Sequence, residues 1–301
     1  MSSILVAAAL RELAARERSE HNIEFFASQP PAGSYLGIIP TVANRIGPSE
    51  IDALQGLRII ANYGVGYDNI DVAHARGRGI AVSNTPGVLT SATAELTWAL
   101  MLAVARRVGE GERLVRSGEW DGWAPTQLRG MSLEGKVLGI VGAGRIGREV
   151  GKRAAAFGMR AIYFGRAQVA GLEFVELDTL LRTADVVSIH LSRSAETERL
   201  IGAERLRLMR DGAILVNTAR GSIVDENALI REVTSGRIKA GLDVYVHEPR
   251  VPEELLDLEN VVLLPHLGSA THEARQAMWE LAWGNLQACL RGGELLTPVV
   301  S

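Results

Sequence analysis

The stretch VLGIVGAGRIG, residues Val137–Gly147, decides the fold of this chain. An apolar run typical of a buried strand leads into a glycine-rich turn, and a helical pattern over Arg145–Phe157 follows. Gly142, Gly144 and Gly147 occupy G-x-G-x-x-G, in which the first glycine permits a tight turn, the second lets a pyrophosphate approach the backbone, and the third lets helix and strand pack closely. The N–H groups and partial positive charge of the helix start favour phosphate. We therefore predict a dinucleotide site.

The same strand-then-helix pattern recurs along the chain, which predicts doubly wound parallel sheets. The predicted strands are Ile4–Ala8, Leu36–Pro40, Arg58–Asn62 and Ile80–Ser83, then Val137–Val141, Arg160–Phe164, Asp185–His190, Ala213–Asn217, Lys239–Asp243 and Val261–Leu264. The segments between the first four have lengths suited to crossover helices. One long helix is predicted over Ser91–Arg116 and another over Thr271–Leu290.

Composition excludes several classes of protein. The 301 residues, 47% of them hydrophobic, suffice for one large or two ordinary domains, and the net charge of −3 gives no reason to expect nucleic acid or an anionic membrane as partner. The longest apolar run, Leu96–Ala105, is too short to span a bilayer. The N-terminus has no basic segment before its apolar residues, so we interpret it as a strand and not a signal peptide. The single cysteine, Cys289, fits a reducing compartment, and we expect a cytoplasmic protein.

Three side chains of complementary chemistry follow three of the predicted strands. Arg220 can bind a carboxylate and polarise a carbonyl, His266 can donate a proton near neutral pH, and Glu248 can orient the imidazole. A carboxylate in that position also raises a histidine's pKa. If these strands lie side by side, the three groups converge, and together they suit reduction of a 2-keto acid. His190 also ends a strand and is the main rival, whereas no H-x-x-H, C-x-x-C or H-E-x-x-H pattern indicates a metal site.

Taken together, these segments resemble the D-isomer-specific 2-hydroxyacid dehydrogenases. The matching stretches are VGYDNID (65–71), NTPGVLTSATAELTWALML (84–102), GKVLGIVGAGRIG (135–147), ADVVSIHL (184–191), LVNTARGSIVDENAL (215–229), GLDVYVHEP (241–249) and LPHLGSAT (264–271). The resemblance implies an α/β protein of two doubly wound parallel-sheet domains. They are a flavodoxin-like substrate-binding domain of residues 1–90 and 275–301 and a Rossmann dinucleotide-binding domain of residues 91–274. It also implies a homodimer joined largely through the nucleotide domains.

The resemblance assigns roles to individual residues. It implies that Arg220 holds the substrate, that His266 is the acid/base and that Glu248 pairs with it. It further implies that Asp243 contacts the nicotinamide amide and that the backbone amides of Val65 and Gly66 hold the substrate carboxylate. From local sequence alone, the loop Tyr63–Asp68 is equally compatible with an anion nest and with a simple turn. Trp120 and Trp123 favour packing against a partner or ligand about as much as burial on their own domain.

The second strand of the nucleotide domain determines the expected cofactor. NAD sites place an acidic residue about 20 residues beyond the glycines to bind the ribose 2′-OH, but here Gly165 takes that position and Arg166 follows. Because an arginine pairs with a 2′-phosphate, we predict that NADPH is preferred over NADH. The nearby Ser192–Ser194 departs from the family pattern, which leaves details of the ribose contact open. The predicted cofactor-binding residues are Gly142, Gly144, Arg145, Ile146, Gly147, Gly165, Arg166, Thr218 and Asp243.

The function expected from these features is reduction of a small 2-keto acid to a D-2-hydroxy acid with NADPH. The Gly165-Arg166 pair, together with NTPGVLTSATAEL, resembles the glyoxylate/hydroxypyruvate reductase branch. One alternative is an NAD-dependent phosphoglycerate dehydrogenase, which the missing acid at Gly165 and the lack of a regulatory domain after residue 301 disfavour. Another is a nucleotide-sensing corepressor of the same fold, which the lack of long disordered tails disfavours.

Overall fold

The computed structural model describes residues 3–15, 17 and 20–300. The chain divides into two compact units, Met1–Leu89 with Ala270–Ser301, and Thr90–Ser269. Each unit is built around its own parallel sheet. The predicted domain boundaries at residues 90 and 275, and the roles given to the two domains, stay predictions.

The strands are β1 (Ser3–Ala7), β2 (Asn22–Phe26), β3 (Gly33–Ser34), β4 (Gly37–Ile39), β5 (Leu54–Gln55), β6 (Ile59–Ala61), β7 (Ala81–Ser83), β8 (Val137–Val141), β9 (Arg160–Phe164), β10 (Glu173–Phe174), β11 (Val186–Ile189), β12 (Ile214–Asn217), β13 (Lys239–Leu242) and β14 (Val261–Leu263). The helices are α1 (Arg11–Ala14), α2 (Pro48–Ala53), α3 (Val72–Gly77), α4 (Thr90–Ala105), α5 (Val108–Ser117), α6 (Arg145–Ala154), α7 (Leu177–Thr183), α8 (Ala203–Leu208), α9 (Glu226–Thr234), α10 (Glu253–Leu256) and α11 (His272–Leu290). Short 3-10 turns lie at Ala8–Leu10, Ala155–Phe157 and Gly221–Ile223.

The first unit contains a five-stranded parallel sheet in the order β2-β1-β4-β6-β7. This is the flavodoxin-like order, with the second strand outside the first. Residues of β1, β4 and β6 are almost fully buried, because helices cover a parallel sheet on both faces. The sheet therefore confirms the predicted class of this unit.

The second unit contains a seven-stranded parallel sheet in the order β10-β9-β8-β11-β12-β13-β14. The chain starts at the centre with β8, moves outward through β9 and β10, and then returns past β8, which is the Rossmann arrangement. Two hydrophobic clusters cover its faces. The carboxyl ends of β12, β13 and β14 are adjacent, as the convergence of Arg220, Glu248 and His266 requires.

The single helix predicted over Ser91–Arg116 is wrong, because the chain breaks it into α4 and α5 at Arg107, whose φ is +55°. A tertiary contact ends α4: the Met131 N–H donates to the Ala105 carbonyl at 2.7 Å. Gly130 lies so close that a Cβ there would sit 2.2 Å from that same carbonyl oxygen. The apolar periodicity within α4 does not indicate this contact, because Met131 lies outside the helix.

The prediction also missed strands at both sheet edges. β2 lies between the first two predicted strands, where only a crossover was expected. β10 is a two-residue strand at the edge of the second sheet. Only Phe26 of β2 is buried, since an edge strand exposes much of its surface. Its sequence, NIEFF, therefore lacks the continuous apolar run that marks the central strands.

Across the described residues, the helices are too short or too polar to cross a lipid bilayer.

Candidate active site

The glycine-rich turn between β8 and α6 gives each glycine a different geometry. Gly142 has a φ of +98°, and a Cβ there would lie 2.8 Å from the backbone of His190. A Cβ at Gly147 would lie 2.1 Å from the Gly142 carbonyl oxygen, so this glycine lets the helix pack on the turn. A Cβ at Gly144 would meet no atom within 4 Å, and the open space lies where a pyrophosphate has to approach the backbone. The turn therefore fits the phosphates of a dinucleotide.

The start of α6 is suited to the same ligand. Gly144 is its N-cap and contributes no side-chain hydrogen bond, so the first N–H groups stay available to an anion. Arg145 is exposed, and Ile146 is partly buried against the hydrophobic core. Burial of Ile146 fixes the helix, while Arg145 adds positive charge at its exposed end.

The carboxyl end of β9 carries the pair predicted to select the cofactor. A Cβ at Gly165 would lie 3.3 Å from the Ala143 amide nitrogen, so a larger side chain would press on the glycine-rich turn. Arg166 pairs with Glu196 at 2.6 Å between Nη2 and Oε2, and the two side chains are 86% and 76% exposed. A second ion pair, Arg193 to Glu198, lies in the loop that departs from the family pattern. Both pairs lie in water and are weak.

His266 and Glu248, which follow neighbouring strands, form a hydrogen-bonded pair. The distance from His266 Nδ1 to Glu248 Oε2 is 2.7 Å, and the side chains are 33% and 35% exposed. The other carboxylate oxygen of Glu248 accepts from the Tyr245 N–H at 3.1 Å. Because a carboxylate accepts, His266 Nδ1 carries a proton toward Glu248, and Nε2 is the atom left to exchange a proton with a ligand.

The electrostatics of the pair favour a charged carboxylate. Burial by itself would raise the pKa of Glu248, but the hydrogen bond and charge of His266, the Tyr245 N–H and the charge of Arg220 together bring that pKa below its ordinary value. Glu248 is thus ionised at neutral pH and supplies a counter-charge to a protonated imidazole.

The loop that carries His266 is held in an unusual backbone conformation. His266 has a φ of +54°, in the left-handed region that residues other than glycine rarely adopt. Its N–H donates to the Asp243 carbonyl at 2.9 Å, while the two oxygens of the Asp243 carboxylate accept from Leu267 at 2.6 Å and Gly268 at 2.8 Å. Asp243 is fully buried, and this burial raises its pKa against the opposing effect of the two N–H bonds. The loop is therefore fixed by a residue that follows the neighbouring strand.

Arg220 follows β12 on a loop that packs tightly against the Glu248 loop. A Cβ at Gly221 would lie 2.2 Å from the backbone carbon of Tyr245, so only glycine permits this approach. The Asn217 side chain ties the loop by donating to the Arg220 carbonyl at 2.9 Å and accepting from the Ala219 N–H at 3.0 Å. The structure thus gathers Arg220, Glu248 and His266 at one end of the sheet.

Two functional supports on α4 escaped the sequence reasoning. Thr93 Oγ1 donates to the Gly268 carbonyl at 2.9 Å, and Thr97 Oγ1 lies 3.0 Å from the hydroxyl of Thr218, a predicted cofactor residue. Thr97 also donates to the Thr93 carbonyl at 2.8 Å. Both threonines are buried. Their four-residue spacing on an apolar helix was the available signal, because it places two hydroxyls on the face that covers the sheet.

The rival histidine has a different environment. His190 Nε2 hydrogen-bonds to Ser188 Oγ at 2.8 Å. Burial lowers the pKa of His190 to about 3, so its imidazole is neutral at neutral pH. A histidine that does not protonate is a poor proton donor, which favours His266 for that role.

The remaining predicted residues, Val65 and Gly66, lie in the first unit on the loop between β6 and α3, where both are partly exposed. Of Trp120 and Trp123, which lie in the second unit, the first is 52% and the second 81% exposed, so burial on their own domain is wrong. No group of three or more His, Cys, Asp or Glu within the described ranges could hold a metal ion.

Comparisons with known proteins point to one family. Residues 98–268 match the family model of the D-isomer specific 2-hydroxyacid dehydrogenase NAD binding domain. A glyoxylate reductase of Thermococcus litoralis is 48% identical over 281 residues, covering 87% of this chain and 85% of that protein. A solved structure from Thermus thermophilus has 45% identity and a TM-score of 0.91, with 99% and 100% of the two chains covered. An NADPH-dependent glyoxylate/hydroxypyruvate reductase of Sinorhizobium meliloti, solved with NADP and malonate, has 35% identity, a TM-score of 0.90 and coverage of 99% and 97%.

Proposed function

Because the chain belongs to the D-isomer-specific 2-hydroxyacid dehydrogenase family and is an NAD(P)-dependent dehydrogenase, we propose that it reduces glyoxylate or hydroxypyruvate to the 2-hydroxy acid with NADPH. The observation that carries the proposal is the His266–Glu248 pair at 2.7 Å, held beside the Arg220 loop. This arrangement suits a substrate that has a carboxylate next to a carbonyl. The relatives named glyoxylate reductase support the small size of the acid.

In this proposal the chain's residues handle charge and protons. Arg220 pairs with the substrate carboxylate and polarises the keto oxygen, which its planar fork of N–H donors allows. His266 in its imidazolium form donates the Nε2 proton to that oxygen, and Glu248 stabilises the imidazolium before the transfer. The backbone amides of Val65 and Gly66 bind the carboxylate. When bound, the nicotinamide cofactor supplies the hydride.

The chain's own residues support NADPH over NADH. Gly165 occupies the position at which NAD sites carry an acidic residue, so no carboxylate repels a 2′-phosphate there. Arg166 follows at the same strand end. The exposed Glu196 partner holds Arg166 only weakly, so a dianionic phosphate can replace it. The related reductase that was solved with NADP supports the same choice. The buried Asp243 and the hydroxyl of Thr218 complete the cofactor residues that we propose.

The decisive experiment is loss of NADPH absorbance with glyoxylate, hydroxypyruvate and pyruvate in turn, repeated with NADH. We expect turnover of the first two acids and a lower KM for NADPH than for NADH. Turnover of pyruvate alone would overturn the proposed substrate class, and equal KM values for the two cofactors would overturn the cofactor choice.

We also propose that the chain forms a homodimer through the second unit. Support comes from the apolar side chains that α5 and the following loop expose, namely Val108, Val115, Trp120 and Trp123. Light scattering of the purified protein tests this, because Trp123→Ser should weaken a dimer built on these residues. The cytoplasmic location stays a prediction from the single cysteine.

A further inference from the structure

The loop after β6 turns its carbonyl groups toward the protein. The Gly66 carbonyl accepts from Asn62 Nδ2 at 2.8 Å, and the Val65 carbonyl accepts from Asn84 Nδ2 at 2.8 Å. The carbonyl of Gly64, one residue earlier, accepts from a backbone N–H of the β7–α4 connection at 3.0 Å. Three consecutive carbonyls are thereby held by the body of the first unit.

Because each peptide unit is planar, the direction of a carbonyl also fixes the direction of the N–H group that follows it. In a trans peptide the carbonyl of one residue and the N–H of the next point in opposite directions. Holding the carbonyls of residues 64–66 inward therefore turns the N–H groups of Val65, Gly66 and Tyr67 outward. Within the ranges that the structure describes, none of these three N–H groups donates to a backbone carbonyl. Three adjacent outward N–H groups form a site for an anion.

Asn62 is itself oriented by another buried amide. Its Oδ1 accepts from Asn69 Nδ2 at 3.2 Å, which leaves its own Nδ2 directed at the Gly66 carbonyl. The Asn62 side chain is fully buried, so it cannot exchange this bond for water. Asn84 is half-buried and is anchored through its backbone carbonyl, which accepts from Thr297 Oγ1 at 2.6 Å. Each asparagine that binds the loop is thus itself held in place by another hydrogen bond.

We propose that Asn62 and Asn84 are positioning residues that hold the loop in the form that binds the substrate carboxylate. The inference rests on the proposed function, in which the amides of Val65 and Gly66 bind that carboxylate. An aspartate at either position keeps the shape but loses the donor, and it places a carboxylate oxygen against a carbonyl oxygen. The repulsion turns the peptide and moves its N–H away from the anion.

The test compares Asn62→Asp and Asn84→Asp with wild type in steady-state kinetics and in binding of oxalate, an unreactive anion with two adjacent carboxylates. We expect the KM for glyoxylate and the Kd for oxalate to rise by about tenfold or more in each variant, since an anion hydrogen bond is weakened. The kcat should stay within about threefold, and the Kd for NADPH should be unchanged, because neither asparagine acts on the hydride or the proton.

Asn44→Asp is the matched control. Asn44 is buried in the same unit and donates to the carbonyls of Ala27 and Ser28, not to the loop. We expect this variant to lose thermal stability without a rise in the KM for glyoxylate. If Asn62→Asp fails to fold, the half-buried Asn84→Asp still tests the proposal.

The outcomes separate the two proposals. Folded aspartate variants with wild-type KM and oxalate affinity would overturn the positioning role, as would an equal rise in KM for Asn44→Asp. A wild-type protein that binds NADPH but neither reduces a keto acid nor binds oxalate would overturn the proposed function itself.

Discussion

Two hydrogen-bonded side-chain pairs at the carboxyl ends of strands in the same sheet have almost the same length and different surroundings. His266 and Glu248 lie 2.7 Å apart after β14 and β13, and Arg166 and Glu196 lie 2.6 Å apart after β9 and β11. The first pair is about one third exposed, whereas the side chains of the second are 86% and 76% exposed. The N···O distances alone do not distinguish the two pairs.

The difference in burial gives the two pairs different rigidity. Glu248 is also bonded to the Tyr245 N–H, and the His266 loop is held by the carboxylate of Asp243, so the first pair keeps its geometry. An exposed pair contributes about 0–1 kcal/mol, so the second can open when a stronger partner arrives. A fixed pair suits proton transfer, and a labile pair suits ligand binding.

The largest effect should follow from removing the fixed pair's proton donor. We expect His266→Ala to lose on the order of 10²–10⁴-fold in the rate of keto-acid reduction, the usual range for general acid catalysis, while it still binds NADPH. Single-turnover absorbance measurements with the variant test this.

His190→Ala is the control for this loss, because the pKa of His190 near 3 leaves it neutral and we assign it no proton transfer. Abolished turnover in His190→Ala, together with an unchanged pH profile in His266→Ala, would move the assignment to the other histidine.

Removal of Arg166, the residue proposed to bind the ribose 2′-phosphate, is expected to have the next largest effect. Arg166→Ala removes a charge-assisted pair and should weaken NADPH binding by about ten- to a hundredfold, while NADH binding barely changes. Arg160→Ala is matched to it, since Arg160 begins the same strand and pairs with Glu173 at 2.8 Å. Titration of cofactor fluorescence measures both. Equal losses for NADPH and NADH would limit Arg166 to a structural role.

Neutralising the fixed carboxylate should have a smaller effect than removing its histidine partner. We expect Glu248→Gln to lose about tenfold in reduction rate at neutral pH, because a neutral amide accepts a weaker hydrogen bond from His266 Nδ1 than the carboxylate does. The exposed Glu254→Gln is the control. Steady-state rates with glyoxylate at neutral pH check the prediction, and an unchanged rate would contradict it.

The lowered pKa of Glu248 also fixes the sign of its effect on stability. Since its pKa is depressed in the folded chain, its contribution is complete above the ordinary carboxyl pKa and is lost as pH falls through the lowered value. Denaturant unfolding at several acidic pH values should show a larger loss of stability in wild type than in Glu248→Gln, because the lowered pKa values of Glu50, Asp52 and Glu149 act in both proteins.

The smallest effect should come from the labile pair. Glu196→Gln frees Arg166 from a competing carboxylate, so NADPH should bind about two- to fivefold more tightly, as the weakness of an exposed pair implies. Glu173→Gln, which releases Arg160 at the other end of β9, should leave NADPH binding unchanged. Weaker NADPH binding in Glu196→Gln would mean that Glu196 helps to hold the ribose.

Much of this molecule could be predicted because its signals are local. The bounds of β8 and β9 match the prediction to the residue, since a buried parallel strand is a continuous apolar run that ends at a turn. The edge strand β2 and the break at Arg107 could not be predicted in this way. The first depends on half-exposed residues, and the second depends on Met131 reaching the end of α4 from outside the helix.

The sequence by itself determined which groups are available and at which strand ends: three glycines after β8, and Arg220, Glu248 and His266 after β12, β13 and β14. These features follow from periodicity and from the order of strands, which short-range patterns encode. Only the tertiary structure decided that His266 adopts a φ of +54° under the hold of Asp243, and that Thr93 and Thr97 support the loops from α4. Such contacts join residues far apart in the chain, and their energy depends on burial and on hydrogen-bond partners that appear only when the sheet is assembled.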